Sequence, residues 1–413
     1  MSAVDLTTEY VGLRLANPLV VASAGITETV DRLRRIEGAG AAVMKSWFET
    51  DRARTSPTPR FRLLRRGMAG FRSTTLYSFE QASGFDLDRY AEEVRRAKDA
   101  VDMPVFASAN CVTDAGWVAW SRAMEQAGAD ALELNVSCPF GPQMMGQVGA
   151  VSEPAVGARH AVPARRPGAD ALTCGAAATV EQEMQRITRL VKATVATPVA
   201  TKMTPQLANP VAVAKTIEAA GADGLVMFNR FTGLDLDLDQ ERPIMHGAYA
   251  GHGGAWALQY VLRWISASYP AVSIPIASSG GVADGDDVAK LILCGATVVE
   301  TCAAVVLGGP GAIPRLLRGL TRFMQAKGYM SPEEFRGKAC ARILESEEVD
   351  RRRLAVAAID EAACTACARC ARVCIYEAAR PAGDKYEVVA AACSGCGLCQ
   401  QVCPADAIHM TSL

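Results

Sequence analysis

The sequence predicts an α/β protein, a (β/α)8 TIM barrel followed by a small cysteine-rich C-terminal domain. Three observations support this. Eight short, uniformly apolar runs alternate with helix-like segments over roughly the first 320 residues, as strands covered on both faces do. A helix-to-strand junction, Gly-Ala followed by Asp or Thr, recurs at Gly128, Gly221 and Gly295. Eight of the 14 cysteines crowd between Cys364 and Cys403. A doubly wound sheet is the alternative arrangement for the same runs. No strand is followed by Gly-x-Gly-x-x-Gly, so no dinucleotide site is expected.

Taken in order, the first strand is expected in 17–23. A charged amphipathic helix over 30–37 leads to the second strand in 42–46. The third strand is 104–108. A helix over 114–126 leads to 131–136, one over 181–194 to 198–203, and one over 210–219 to 224–229. A helix over 255–268 leads to 274–278, and one over 286–293 to 298–301. Glycine ends a helix in the left-handed conformation, and a small residue after it lets the chain turn quickly into the next strand. Two stretches read as insertions. Residues 51–88, rich in Arg, Ser and Thr, are expected to cover the barrel mouth. Residues 142–171, rich in Gly, Ala and Pro with a basic patch over 159–166, are either a lid or a surface insertion. The domains are therefore expected as a barrel over 1–326, a polar linker over 327–356 and a tail domain over 357–413.

Half of the residues are hydrophobic and the formal net charge is -1. The chain is globular, and nothing in its charge calls for nucleic acid or an acidic membrane surface. Residues 1–10 contain no apolar signal region. The longest apolar stretch, 291–314, is broken by Glu300, Gly308, Gly309, Pro310 and Gly311, so a strand and loop explain it better than a membrane span. A cytoplasmic protein is expected. With no secretory signal, 14 Cys and 4 His point to metal or cluster binding more than to disulfides.

The tail reads Cys364-x2-Cys367-x2-Cys370-x3-Cys374, then Cys393-x2-Cys396-x2-Cys399-x3-Cys403-Pro404. This doubled spacing is the two-cluster ferredoxin pattern, in which the fourth cysteine of each run ligates the other cluster. Cys364, Cys367, Cys370 and Cys403 are expected to hold one [4Fe–4S] cluster. Cys393, Cys396, Cys399 and Cys374 are expected to hold the other. Two structural zinc ions are the alternative, and the close triple spacing speaks against them. Such a 2[4Fe–4S] ferredoxin-like domain passes single electrons, so the barrel needs a partner that accepts one electron at a time and transfers two.

A flavin meets that need. Loops after the seventh and eighth strands are the usual phosphate site of this barrel. Here they contain Gly280-Gly281 and Thr301-Cys302-Ala303, and bare glycine amides suit an anion. Lys45 and Lys202 end the second and fifth strands, where two cations would suit a reduced flavin; a structural ion pair is the alternative for either. Cys138 follows the fourth strand in Asn135-Val-Ser-Cys-Pro139, the position where this fold holds its chemistry. By itself a free cysteine is more often a small buried core residue.

The segments 133–139, 200–205, 279–282 and 293–297 resemble those of class 1 dihydroorotate dehydrogenases. With the two-cluster tail added, the chain resembles the dihydropyrimidine dehydrogenases. The resemblance implies an FMN barrel that reduces the ring C=C of uracil or thymine, or runs the reverse. Hydride passes at the flavin, and a cysteine on a mobile loop, matched by Cys138, exchanges a proton with the adjacent carbon. A thiol pKa near 8.5 is compatible with that role. The resemblance further implies substrate contacts at Asn135 and Asn229. It implies flavin contacts at Ala24, Lys45, Ser46, Asn110, Lys202, Gly253, Gly254, Gly280, Gly281, Cys302 and Ala303. The implied electron donor is a separate NAD(P)H-oxidising flavin subunit or a ferredoxin, in a homo-oligomer or hetero-complex.

Three positions at the substrate end depart from that pattern. Ser78 stands where the family has Asn, Phe140 where it has His, Asn or Gln, and Arg230 where it has Thr or Ser. Arg230 would suit a substrate carboxylate, or it pairs with Asp235, Asp237 or Asp239. The first expectation is therefore a reductase of an activated ring C=C, uracil or thymine foremost. The second keeps the chemistry on a carboxylated or more apolar ring. A non-catalytic electron-transfer subunit is the third, and it would have no use for Cys138.

Overall fold

Eight parallel strands close on themselves. They are β1 (Leu19–Val21), β2 (Ala41–Val43), β3 (Val105–Asn110), β4 (Ala131–Leu134), β5 (Val199–Met203), β6 (Gly224–Met227), β7 (Ile276–Ser279) and β8 (Val298–Thr301). Each pairs its successor in parallel, and β8 returns to β1, so the sheet has no free edge. This is the TIM barrel that the apolar runs predict; a doubly wound sheet would leave two edges. The computed structural model describes residues 4–55, 58–68, 71–78, 82–136, 179–246, 249–352 and 355–412. Cys138, Phe140 and the 142–171 insertion lie outside them.

Alternate strand residues face in and out. Outward residues such as Leu19, Val105, Leu132, Val199 and Ile276 join the helices in the main core. Inward Val20, Val43, Phe106, Ala131, Ala200, Val226, Ala277 and Val298 form a second apolar cluster with Tyr10, Val11 and Leu15. These last three come from the hairpin Thr8–Tyr10 and Leu13–Leu15. Tyr10 donates its hydroxyl to the Leu225 carbonyl at 3.2 Å. The hairpin thus plugs the lumen at the N-terminal end of the strands and leaves the opposite end for the site.

Helices packed around the barrel are α1 (Val30–Arg34), α2 (Leu87–Ala100), α3 (Asp114–Gln126), α4 (Val180–Lys192), α5 (Pro210–Ala219), α6 (Leu258–Ser268), α7 (Gly285–Leu293) and α8 (Ala312–Lys327), and a further short helix, Ala303–Gly308, follows β8. Side-chain caps start several of them: Asp86 accepts from the Arg89 amide at 2.8 Å, Thr113 from Gly116 at 2.9 Å and Asp284 from Asp287 at 3.0 Å. Each such cap contributes about 1 kcal/mol. Gly128, Gly221 and Gly295 have φ of 81°, 91° and 109°. The acid in the repeated junction has its own use. Asp130 accepts the Val105 amide at 2.7 Å and Lys98 Nζ at 2.6 Å. Asp223 does the same with Val199 at 2.7 Å and Lys192 at 2.6 Å. Each Asp therefore ties the strand before its helix to the strand after it. α1 is shorter than its amphipathic pattern, because the chain must turn through Gly40, which packs on the Asn17 carbonyl where no Cβ fits.

The first insertion forms an antiparallel hairpin, Phe61–Met68 and Phe71–Ser78. With Ala250–Gly253 and Phe231–Gly233 it makes a four-stranded sheet. The chain divides into two units at Arg342 and Ile343. Most of the expected linker belongs to the barrel: Phe335 is fully buried, its ring stacks on Tyr329 at 5.1 Å, and the Gly337 amide donates to Ile292 O at 2.9 Å. The smaller unit pairs Ala355–Ile359 with Ile408–Ser412 and Ala379–Ala382 with Lys385–Val388. Its short helices Arg369–Val373 and Leu398–Gln401 sit at equivalent places in the two cysteine runs.

α7 and α8 approach closely because Gly285 and Gly319 face each other backbone to backbone. Gly319→Ala should force them apart and lower barrel stability by about 1–3 kcal/mol. A urea denaturation midpoint unchanged from wild type would refute this.

Candidate active site

The barrel opens at the C-terminal ends of its strands into a cavity of about 690 Å³. Strand alternation places a charged layer directly above the apolar plug. Glu133 on β4, Lys202 on β5 and Glu300 on β8 all point inward and are at most 7% exposed. Lys202 Nζ donates to Glu133 Oε1 at 3.2 Å and to Glu300 Oε2 at 2.8 Å, a bond that spans the lumen. Burial, followed by the neighbouring Glu300 carboxyl, pushes Glu133 up to about 8. Lys202 is raised despite burial, because both carboxyls favour its charged form. The trio thus holds one ammonium and an extra proton between two carboxyls. Lys45, also buried, lines the same cavity.

A chain of polar groups crosses the wall above this layer. Ser23 and Ser46 hydroxyls meet at 2.9 Å, and Ser46 also bonds Ser108 Oγ at 2.9 Å. Asn135 donates Nδ2 to Ser46 Oγ at 3.1 Å and accepts Asn229 Nδ2 on its own Oδ1 at 2.8 Å. These bonds fix which way both amides point. Asn110 supports them from behind, donating to the Asn135 carbonyl at 2.7 Å. Arg230, next to Asn229, donates Nη1 to Ser78 Oγ at 2.9 Å.

Backbone lines the cavity after β7 and β8. Gly280 and Gly281 have φ of 109° and 85°. A Cβ at Gly281 would strike the backbone of Leu258, and one at Gly254 would strike the Thr74 carbonyl. Cys302, Ala303 and Ala304 continue the same rim. The remaining wall is aromatic. Phe231 packs on Trp256 and Tyr260 with ring centres 5.2 Å and 5.1 Å apart, and His252 stacks on Trp256 at 5.3 Å. Burial lowers the His252 pKa and keeps the ring neutral.

The expected residues Lys45, Ser46, Ser78, Asn135, Lys202, Asn229, Arg230, Gly253, Gly254, Gly280, Gly281, Cys302 and Ala303 all line this one cavity. Ala24 and Asn110 lie behind it; Ala24 is buried and accepts the Thr27 hydroxyl at 2.9 Å. The trio partners Glu133 and Glu300 and the aromatic wall went unmarked in the sequence. A Glu inside an apolar strand was the available signal for the acids. The aromatics had none, since Phe61, Phe231, His252 and Trp256 come together only through the four-stranded sheet.

In the smaller unit each cysteine quartet lines its own small cavity of about 20 Å³. One is lined by Cys364, Cys367, Cys370 and Cys403, the other by Cys374, Cys393, Cys396 and Cys399. Backbone amides donate to the sulfurs: Ala378 to Cys374 at 3.3 Å, Gly395 to Cys393 at 3.4 Å and Ala407 to Cys403 at 3.3 Å. Among the described residues, no three His, Cys, Asp or Glu converge tightly enough for a single metal ion.

Residues 5–324 match the family model for dihydroorotate dehydrogenase, and residues 357–410 match that for a 4Fe-4S dicluster domain. The chain is similar to the dihydroorotate dehydrogenase B (NAD(+)) catalytic subunit of Methanothermobacter thermautotrophicus, 28% identical over 81% of this chain and 98% of the relative. It is 30% identical to the corresponding subunit of Geobacillus kaustophilus, over 81% and 95%. It is 26% identical to the NAD-dependent dihydropyrimidine dehydrogenase subunit PreA of Escherichia coli, over 89% and 84%. No helix among the described residues is long and apolar enough to cross a membrane.

The raised Glu133 pKa has a consequence for stability. The folded barrel binds more protons than the unfolded chain between the ordinary value of 4.5 and about 8, so stability falls as pH rises through that window. The slope is at most about 1.4 kcal/mol per pH unit. Glu300→Gln leaves Glu133 with one cation and no second carboxyl, and should flatten this part of the dependence in urea titrations. The difference between variant and wild type isolates the effect from other titrating groups.

Proposed function

The chain belongs to the dihydroorotate dehydrogenase family, whose members use FMN, and on that footing we propose that it is an FMN and iron–sulfur reductase of an activated ring C=C, with uracil or thymine the foremost substrates. The observation that carries this reading is the hydrogen-bonded amide pair Asn135–Asn229 on the cavity wall. Each amide offers a donor and an acceptor, as the N–H and C=O groups of a pyrimidine edge require. The PreA relative, whose match extends over 89% of the chain, supports a dihydropyrimidine substrate without a ring carboxylate.

The cavity fits FMN. Its volume lies in the usual range for a bound cofactor. The glycine rim offers bare amides to a phosphate. Thr301 Oγ1 and Trp256 Nε1 are buried on the wall with no hydrogen-bond partner among the described residues. FMN held there would exchange a hydride with one ring carbon. Gly253, Gly254, Gly280, Gly281, Cys302 and Ala303 would hold it at the rim, with Lys45, Ser46 and Lys202 deeper in. Asn135 and Asn229 orient the ring. Cys138 delivers the proton to the carbon next to the one that receives hydride, so hydride and proton together saturate the bond. In the tail, Cys364, Cys367, Cys370 and Cys403 hold one [4Fe–4S] cluster, and Cys393, Cys396, Cys399 and Cys374 the other. Electrons enter from a separate NAD(P)H-oxidising flavin subunit or a ferredoxin.

One observation favours a second substrate class. Arg230 lines the cavity beside Ser78, and Phe61, Phe231 and Trp256 line the same cavity. A guanidinium and aromatic surface suit an unsaturated ring bearing a carboxylate.

Anaerobic reduction followed by an oxidant screen tests both readings. Uracil or thymine should restore the flavin band, and Cys138→Ser should slow that recovery by about 10²–10⁴-fold while FMN stays bound. Undiminished recovery in Cys138→Ser would remove the acid role, and no recovery with any ring oxidant in the wild type would favour a plain electron carrier. For Arg230, the discriminating measurement is a ring carboxylate. If the second class holds, Arg230→Ala should weaken its binding by about 2 kcal/mol or more and leave uracil unaffected.

A further inference from the structure

We propose that Glu133 and Glu300, joined through Lys202 on the floor of the cavity, form a proton site whose hold on its proton tightens when the barrel's flavin is reduced and loosens when it is oxidised. The inference rests on the FMN reading of the cavity.

The geometry is that of a charge store with one vacancy. Two carboxyls and one ammonium share a layer of the lumen, with the carboxyls 2% and the ammonium 7% exposed. Below them lies an apolar floor of Tyr10, Val20, Val43, Ala131, Ala200 and Val298, so no water layer screens them from that side. One carboxylate is compensated by Lys202. The second, if ionised, would be an unpaired buried charge, which is costly. The trio therefore settles between two states, neutral with one carboxyl proton and singly negative without it. Glu133 lies near the balance point, pushed upward by burial and by Glu300.

All three side chains line the cavity. Two electrons and one proton delivered to a neutral flavin leave one negative charge there. That charge disfavours the negative state of the trio at short range and low dielectric. Above about 8, where the trio has lost its proton before reduction, a second proton then goes to the Glu133–Glu300 pair, so two electrons bring in two protons and the cavity gains no net charge; below that pH the pair keeps its proton in both states.

The other titratable groups facing this layer are accounted for. Tyr10 from the plug and Tyr90 from α2 are both raised by burial first and remain neutral. Lys45, at the exit of β2, and Arg230, after β6, also line the cavity. His252 and the thiol of Cys302 also line the described cavity wall, and burial lowers His252. Its contribution would therefore fall below its ordinary value of 6.5 and not above 8.

The test is anaerobic spectroelectrochemistry of the flavin in the full-length protein from about pH 7 to about pH 10. In wild type the dependence of the midpoint potential on pH should double in slope above about 8, where the oxidised trio loses its proton. Glu300→Gln and Glu133→Gln should each keep the single slope throughout, and His252→Gln and Cys302→Ser should each keep the doubling. Proton uptake during photoreduction, read with an indicator dye, gives the same count in wild type without a variant. A bound flavin with a single slope in wild type, or a doubling that survives both Glu variants, overturns the proposal. A wild-type chain that fails to retain FMN overturns the flavin reading and the proposal with it.

Discussion

Two buried carboxyls competing for one ammonium set the character of the barrel's interior. Glu133 and Glu300 reach the lumen because they occupy inward positions of β4 and β8, and Lys202 meets both from β5. Nothing below them can solvate charge, since the N-terminal hairpin fills the lumen with Tyr10, Val11 and Leu15. The layer is thus forced to balance its charge internally, and the proton held by Glu133 is the means. The floor of the cavity is consequently preorganised: its charged side chains are held in place before any ligand enters.

The wall above the floor follows the same logic with neutral groups. Hydroxyls of Ser23, Ser46 and Ser108 pass hydrogen bonds to Asn135 and on to Asn229. Each member has its orientation set by the one before, which leaves little freedom for either amide to turn. The four-stranded sheet completes the enclosure with aromatic rings and the Arg230–Ser78 pair.

The smaller unit shows how one backbone arrangement is repeated with different residues. Gly395 and Gly397 take φ of 76° and 75° in the second cysteine run, and Ala366 and Ala368 take 56° and 61° at the equivalent places in the first. Alanine is strained in that region and glycine is not. The first run therefore sustains the same turns at a cost of about 1 kcal/mol or more per alanine. Both quartets still surround a cavity of their own.

The sequence by itself determined the barrel, because uniformly apolar strands, glycine-ended helices and repeated junctions are local signals that survive without knowledge of contacts. It also determined the cysteine quartets, whose spacing brings the sulfurs together through short turns. Two things lay beyond it. The extent of the barrel unit past α8 depended on Phe335 and Tyr329 docking on distant helices. The pairing of Lys202 with Glu133 and Glu300 joins residues 69 and 98 positions apart. Strand order, closure and the inward phase of each strand had to be set before those charges could meet. Only the tertiary structure decided that Lys202 is both a cavity residue and an ion-pair partner, because charge balance in a sealed lumen is a property of the closed barrel and not of any strand.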